Sequence, residues 1–320
     1  MKKFHCLSMI FVIFLFVIEF AQAMTRTLKN EPAIVIAAFG TTTKAQSTYD
    51  FFEEQLRKEL PPDYRKLRIE WAFTSEIVRE RANKTFKEKG SEKRYLSLMQ
   101  VLANLEDQGY RTFAIQPLHI FPGQEYSELE NIVEGFRHMG LKVAYGSALF
   151  DKWEDIHEVI GELEKDFLPP DQGCNIVVVH GSPQTSHDAN SIYLGLDRYV
   201  VDKYPNVFVG AVDGVLTRQQ ALTRARECKP KRVKFFPLMY VAGDHIMNDI
   251  MGKENNQESE LSWAMEMEQA SFTVETVYTT YQGKEFFKGL GFYPAINHKF
   301  ISNLVRTLKS LDYAAKPVSH

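Results

Sequence analysis

The chain has 320 residues, 44% of them hydrophobic and 25% charged, with a net charge of −3 and three cysteines. This make-up excludes a low-complexity or disordered chain and a small disulfide-stapled domain. Near-neutral charge without a block of like charges gives no reason to expect nucleic acid or a membrane surface as partner.

The first residues, MKKFHCLSMIFVIFLFVIEFAQAMT, place Lys2 and Lys3 ahead of an uncharged apolar run and end in Ala21-Gln22-Ala23, the small-x-small pattern cut by signal peptidase. Residues 1–23 therefore read as a cleaved signal peptide, and the mature protein as exported and periplasmic. The uncharged stretch from Cys6 to Ile18 is shorter than the ~20 residues a spanning helix needs, so an uncleaved anchor is the weaker alternative, and no later segment is apolar for long enough. Removing the leader leaves Cys174 and Cys228, which are either one disulfide or two free thiols.

Along the mature chain, short apolar or β-branched runs alternate with segments of helical period. Strands are expected at Ala33 to Phe39, Leu67 to Phe73, Arg111 to His119, Lys142 to Tyr145, Asn175 to His180, Val207 to Val212, Arg232 to Met239 and Thr273 to Thr279. Helices such as Tyr49 to Leu60, Tyr95 to Asp107, Glu128 to His138 and Asn297 to Leu308 fall between or after them. Alternation of this kind predicts an α/β fold with mostly parallel sheets flanked by helices.

The two halves echo one another. "AIVIAAFGTTT" from Ala33 resembles "NIVVVHGSPQT" from Asn175, with Gly40 matching Gly181, and "PLHIFPGQE" from Pro117 resembles "PLMYVAGDH" from Pro237. Two similar lobes facing a cleft follow, an N-terminal one over 24–170 and a C-terminal one over 171–320, with the boundary in the Pro- and Gly-rich Leu168 to Gly173. In this alignment His180 falls opposite Phe39 and His245 opposite Glu125, all at carboxyl ends of strands, where open α/β sheets place ligands. Both histidines belong to the second half, so the site leans on that lobe.

With Asp213 at the end of the strand between them, His180 and His245 form a set suited to Co, Fe, Ni or Zn; either could instead carry a proton or merely be hydrogen-bonded at a strand end. Glu125, after Pro122 and Gly123, reads as a general base or as a carboxylate complementing a helix N-terminus. His119 reads as a core or supporting residue, His138 and His157 as surface-helix residues, and His187 as a cleft or helix-start residue. "FGTTT" and "HGSPQTS" lack the Gly and Lys spacing of a phosphate loop, so no nucleotide is expected.

Taken together, "AAFGT" at 37 to 41, "WAFTSEIVR" at 71 to 79, "QPLHIFPGQEY" at 116 to 126, "HGSP" at 180 to 183, "VGAVDG" at 209 to 214, "PLMYVAGDHIMND" at 237 to 249, "SW" at 262 to 263 and "GLGFYPAI" at 289 to 296 resemble the anaerobic sirohydrochlorin cobalt chelatases. These are class II, ATP-independent tetrapyrrole chelatases related in fold to ferrochelatases. The resemblance implies a divalent ion as substrate, Co2+ ahead of Fe2+ or Ni2+, a tetrapyrrole as partner, and no ATP. By motif position it makes His180 and His245 metal ligands, with His180 also catalytic, puts Asp213 where the family usually has Glu, and makes Glu125 the catalytic active-site Glu that accepts or relays a proton. "VDGVL" and the insert around "GKENNQESEL" depart from the family pattern and bear on metal identity and ring fit. The alternatives are an iron or nickel chelatase, an exported haem-, tetrapyrrole- or metal-binding protein on the same fold with little turnover, and a periplasmic solute-binding protein; homo-oligomer formation stays open.

Overall fold

The structure is a computed structural model that describes residues 27–184, 189–253 and 261–315. The proposed leader, His187 and most of the "GKENNQESEL" insert lie outside the described residues.

Two four-stranded parallel sheets carry the fold. In the first, β1 (Ala33–Ala38) lies between β2 (Ile69–Phe73) and β3 (Thr112–Pro117), with β4 (Lys142–Tyr145) outside β3. In the second, β5 (Cys174–Ser182) lies between β6 (Val207–Gly214) and β7 (Arg232–Pro237), with β8 (Thr273–Thr276) outside β7. The order is the same in both, as the internal repeat requires. The helices are α1 (Ser47–Glu59), α2 (Glu76–Glu88), α3 (Leu98–Asp107), α4 (Gln124–His138), α5 (Trp153–Glu164), α6 (Ala189–Lys203), α7 (Arg218–Arg226), α8 (Trp263–Gln269) and α9 (Pro294–Ala315).

All six residues of β1 are buried because both sheet faces are covered, which is why the strand reads as an unbroken apolar run. Its alternate side chains serve two interiors. Ala33, Val35 and Ala37 pack with α3 and α4 through Leu98, Leu102, Leu129 and Val133, whereas Ile34 and Ile36 join a core continuous with the second half. In β5 the same division puts Ile176 and Val178 against Leu222, Trp263 and Met267, and Val177 and Val179 in the shared core.

The lobes also exchange helices. From the first half, α5 packs on α6, with the His157 and Tyr199 rings stacked 4.2 Å apart and Glu164 receiving Lys203 and Tyr204. From the second half, α9 lies against β3, β4 and α1. Asn297 anchors it, accepting from the Tyr240 hydroxyl at 3.0 Å and donating to Gln55 at 3.2 Å. Lys299 of α9 ties the exchanged pair together through Asp155 at 2.7 Å.

The strand expected from Thr273 to Thr279 is divided. β8 pairs in parallel with β7 only as far as Thr276, and the chain then folds on itself as an antiparallel hairpin, β9 (Tyr278–Tyr281) and β10 (Lys284–Phe287). Gln282 and Gly283, at φ 48° and 72°, make the two-residue turn. Among the described residues no helix is long and apolar enough to cross a membrane.

Cys174, at the start of β5, and Cys228, just past α7, form a disulfide across 54 residues with Cα atoms 6.2 Å apart. Closing a loop of this length removes about 4 kcal/mol of chain entropy from the unfolded state. Reduction, or Cys228→Ser, is therefore expected to lower stability by about 2–5 kcal/mol, read as a lower thermal midpoint with reductant than without. An unchanged midpoint would show that the bond contributes nothing to the native state.

Candidate functional site

Each sheet has its crossovers on opposite faces. α1 and α6 lie on the shared-core side, while α3 and α7 cover the outer faces. The chain therefore reverses direction across the sheet between β1 and β3, and again between β5 and β7. At such switch points the loops beyond the strand ends part and leave a crevice. Phe39 and Gly40 follow β1, the Leu118 to Glu125 segment follows β3, His180 lies near the end of β5, and His245 follows β7.

β5 continues beyond its last valine as His180-Gly181-Ser182, with Gly181 opposite Asp213 of β6. Gly181 has φ +87°, and a Cβ there would stand 1.8 Å from the Asp213 carbonyl oxygen, so only glycine fits. Its N–H donates to the Tyr193 hydroxyl at 3.1 Å, just as Gly40 N–H donates to Tyr49 at 3.0 Å in the first lobe. The same tyrosine-on-glycine support thus holds both strand ends.

His180 Nδ1 lies 3.2 Å from the Gly181 carbonyl. A carbonyl can only accept, so Nδ1 carries the proton and the Nε2 lone pair remains free. The ring of His245 lies 4.9 Å from that of His180, turned 77° to it, and Phe39 approaches His180 from the first lobe at 6.4 Å. Gly243 lets the second-lobe turn come close to Thr41, because a Cβ there would meet its hydroxyl at 3.0 Å. His245 opens a π-helical turn, Ile246–Ile250, a form found at functional sites more often than elsewhere. Its Nδ1 lies 2.7 Å from the Asp249 carboxylate. That hydrogen bond raises the His245 pKa above the ordinary range, with burial opposing it and the charges of Asp249, Asp244 and Asp213 adding to it.

The structure therefore brings His180 and His245 together, with Asp213 exposed at the neighbouring strand end. Among the described residues no three His, Cys, Asp or Glu side chains converge as a ready-made ion site, so the histidines are a pair rather than a closed set. Glu125 stands in the first turn of α4, where its charge reaches Tyr193 and, secondary to burial, raises that phenol's pKa. Asp249 and Tyr193 were not singled out from the sequence. An acid four residues after His245 in a helix-compatible stretch was a readable cue for the first, and no local pattern marks the second.

The other histidines separate by surroundings. His138 ends α4 on the surface, His157 stacks on Tyr199, and His298 pairs with Glu59 at 2.8 Å. The Nε2 of His119 meets the Thr74 hydroxyl at 3.2 Å, while its Nδ1 is sealed from solvent without a partner. Burial pushes its pKa down to about 4. A base depressed in the folded state contributes stability that is present above its unfolded pKa of about 6.5 and is lost as the pH falls towards 4. This group alone is expected to cost up to about 3 kcal/mol over that interval. His119→Gln should flatten the fall in denaturation free energy between these pH values, and an unchanged slope would place its origin elsewhere.

Two similar parallel α/β lobes with a histidine pair at their strand-end crevice define a protein of the tetrapyrrole-chelatase fold. The solved structures agree. SirB from Bacillus subtilis with Fe3+ superposes with a TM-score of 0.56 at 14% identity, covering 88% of this chain and 98% of that one. The sirohydrochlorin chelatase SirB from Bacillus subtilis subspecies spizizenii in complex with cobalt gives 0.54 at 15%, covering 88% and 97%. In sequence, residues 32–309 match the family model of CbiK, cobalt chelatase. The sirohydrochlorin cobaltochelatase CbiKC of Nitratidesulfovibrio vulgaris is 30% identical over 228 residues, 70% of this chain and 77% of that protein. The sirohydrochlorin cobaltochelatase of Salmonella typhimurium is 28% identical over 211 residues, 66% and 74% of the two chains. The chain belongs to the CbiK cobalt chelatase family. It is a metal chelatase, and a divalent metal ion is one of its substrates.

Proposed function

We propose that this protein is an exported sirohydrochlorin cobaltochelatase that inserts Co2+ without ATP. His180 and His245 hold the ion through Nε2, with the Asp213 carboxylate beside them. Glu125 accepts protons from the ring. Insertion exchanges two pyrrole N–H protons for one Co2+, so a base and an ion held next to the macrocycle are what the step requires. Holding both reactants in one crevice makes the step effectively unimolecular, worth up to about 7–11 kcal/mol in well-oriented systems. Each neutral imidazole offers Nε2 to the ion when its proton rests on Nδ1, the side turned to Gly181 and Asp249.

The observation that carries this reading is the His180–His245 pair, 4.9 Å apart, in a chain matching the cobalt chelatase family over residues 32–309. The test mixes purified protein starting at residue 24 with metal-free sirohydrochlorin and Co2+ under anaerobic conditions and follows the absorbance change. Parallel reactions with Fe2+ and Ni2+ rank the metals. Metallation faster than the protein-free control is expected; a shifted ring spectrum without such a rate would make the protein a tetrapyrrole carrier.

Export is supported by the leader pattern before Ala23 and by the disulfide, which persists in oxidising compartments. Periplasmic protein is expected to begin at Met24 and to resist thiol alkylation until reduced. Recovery of uncleaved chain with Cys174 and Cys228 both free would overturn export.

A further inference from the structure

Asp249 belongs to neither ligand set nor base, yet among the described residues it makes the closest polar contact to the histidine pair. Its Oδ2 lies 2.7 Å from His245 Nδ1, within the range of charge-assisted hydrogen bonds. An ionised carboxylate only accepts, so the proton of neutral His245 must sit on Nδ1 and the lone pair on Nε2. His180 is turned the same way by the Gly181 carbonyl. Both rings thus keep their protons on the side of protein acceptors and leave Nε2 free.

The turn that carries Asp249 is anchored by packing. Ile246 and Ile250 of the same π-helical turn are fully buried in the outer core of the second lobe. The turn is closed by Met251 N–H donating to the Ile246 carbonyl at 3.0 Å. The adjacent acid does not compete for the imidazole, because Asp244 is engaged by the Asn248 amide at 2.8 Å. A ligand ring held by a fixed carboxylate is oriented and made more basic towards a metal, and loss of such a partner costs about 10–100-fold in metal affinity.

We infer that Asp249 is the positioning residue of the metal site, fixing His245 as its Nδ1–H tautomer so that Nε2 faces the incoming ion. It touches neither ion nor macrocycle and acts through His245. The inference rests on the reading of His245 as a ligand, and the experiment separates the two.

Histidine tautomers are read by 15N NMR on metal-free protein starting at residue 24, labelled at histidine. Co2+ affinity is read by titration in the absence of any tetrapyrrole. Wild type, Asp249→Asn, Asp249→Leu and His245→Ala are compared, with thermal midpoints reporting folding. The wild type is expected to show His245 as Nδ1–H. Asp249→Leu should lose that preference and bind Co2+ about 10–100-fold more weakly. Asp249→Asn, nearly isosteric and still able to accept, should keep the tautomer, fold as wild type and lose less affinity. An Nε2–H tautomer in the wild type would overturn the inference. So would full Co2+ affinity in Asp249→Leu alongside loss in His245→Ala, with the ligand reading intact. Full affinity in His245→Ala would overturn the ligand reading, and the role of Asp249 with it.

Discussion

His180→Ala and His245→Ala are each expected to slow cobalt insertion by at least about a hundredfold, more than removal of a supporting partner typically costs. The two rings are the convergent imidazoles of the crevice, 4.9 Å apart, and among the described residues no group of three His, Cys, Asp or Glu side chains forms an ion site that could substitute. Removing either leaves a single imidazole, which cannot hold a divalent ion against hydration while the ring loses its protons. Stability should change little, because both side chains are half-buried and their truncation empties no core position. The readout is the anaerobic absorbance assay beside thermal unfolding of each variant. Full turnover in either variant with an unchanged midpoint would remove that histidine from the site.

Gly181→Ala is expected to lose about 4 kcal/mol or more, among the largest effects a single methyl can have. Two costs combine. The residue sits at φ +87°, where L side chains are disfavoured, and its Cβ would overlap the Asp213 carbonyl at 1.8 Å. That neighbour is backbone, so the clash is relieved only by parting β5 from β6, which also displaces His180 and breaks the hydrogen bond to Tyr193. Gly161→Ala is the control. It lies inside α5, its Cβ would meet nothing within 4 Å, and a helix-interior alanine should stabilise by about 0.5–1 kcal/mol. Chemical denaturation of both variants measures the contrast, and equal effects would mean that the β5–β6 crossing is looser than its geometry requires.

The sequence carried more of this fold than of its site. Buried parallel strands announce themselves locally, because a strand covered on both faces must be apolar at every position, as "AIVIAA" and "NIVVV" are. The repeat made the shared strand order legible and matched Gly40 to Gly181, the two glycines at the ends of β1 and β5. The family motifs nominated His180, His245, Asp213 and Glu125 before any distance was known. The hairpin β9–β10 is not legible locally because "VETVYTT" reads as one β-rich run, whereas β8 pairs with β7 only as far as Thr276.

What composition, period and motif determined by themselves was the class of fold, the number of lobes, the strand ends at which ligands gather and the residues worth testing. The tertiary structure decided which of these residues meet. It put β5 beside β7, so that His180 and His245 face each other, and left Glu125 in the first turn of α4, where its charge reaches Tyr193. It also joined Cys174 to Cys228, exchanged α5 and α9 between the halves, and turned Asp249 onto His245. Periodicity records only whether a side chain is buried, a property of its own few neighbours in the chain. Strand order, helix exchange and imidazole orientation are set by contacts between residues tens to hundreds of positions apart, whose energies leave no local trace in the sequence.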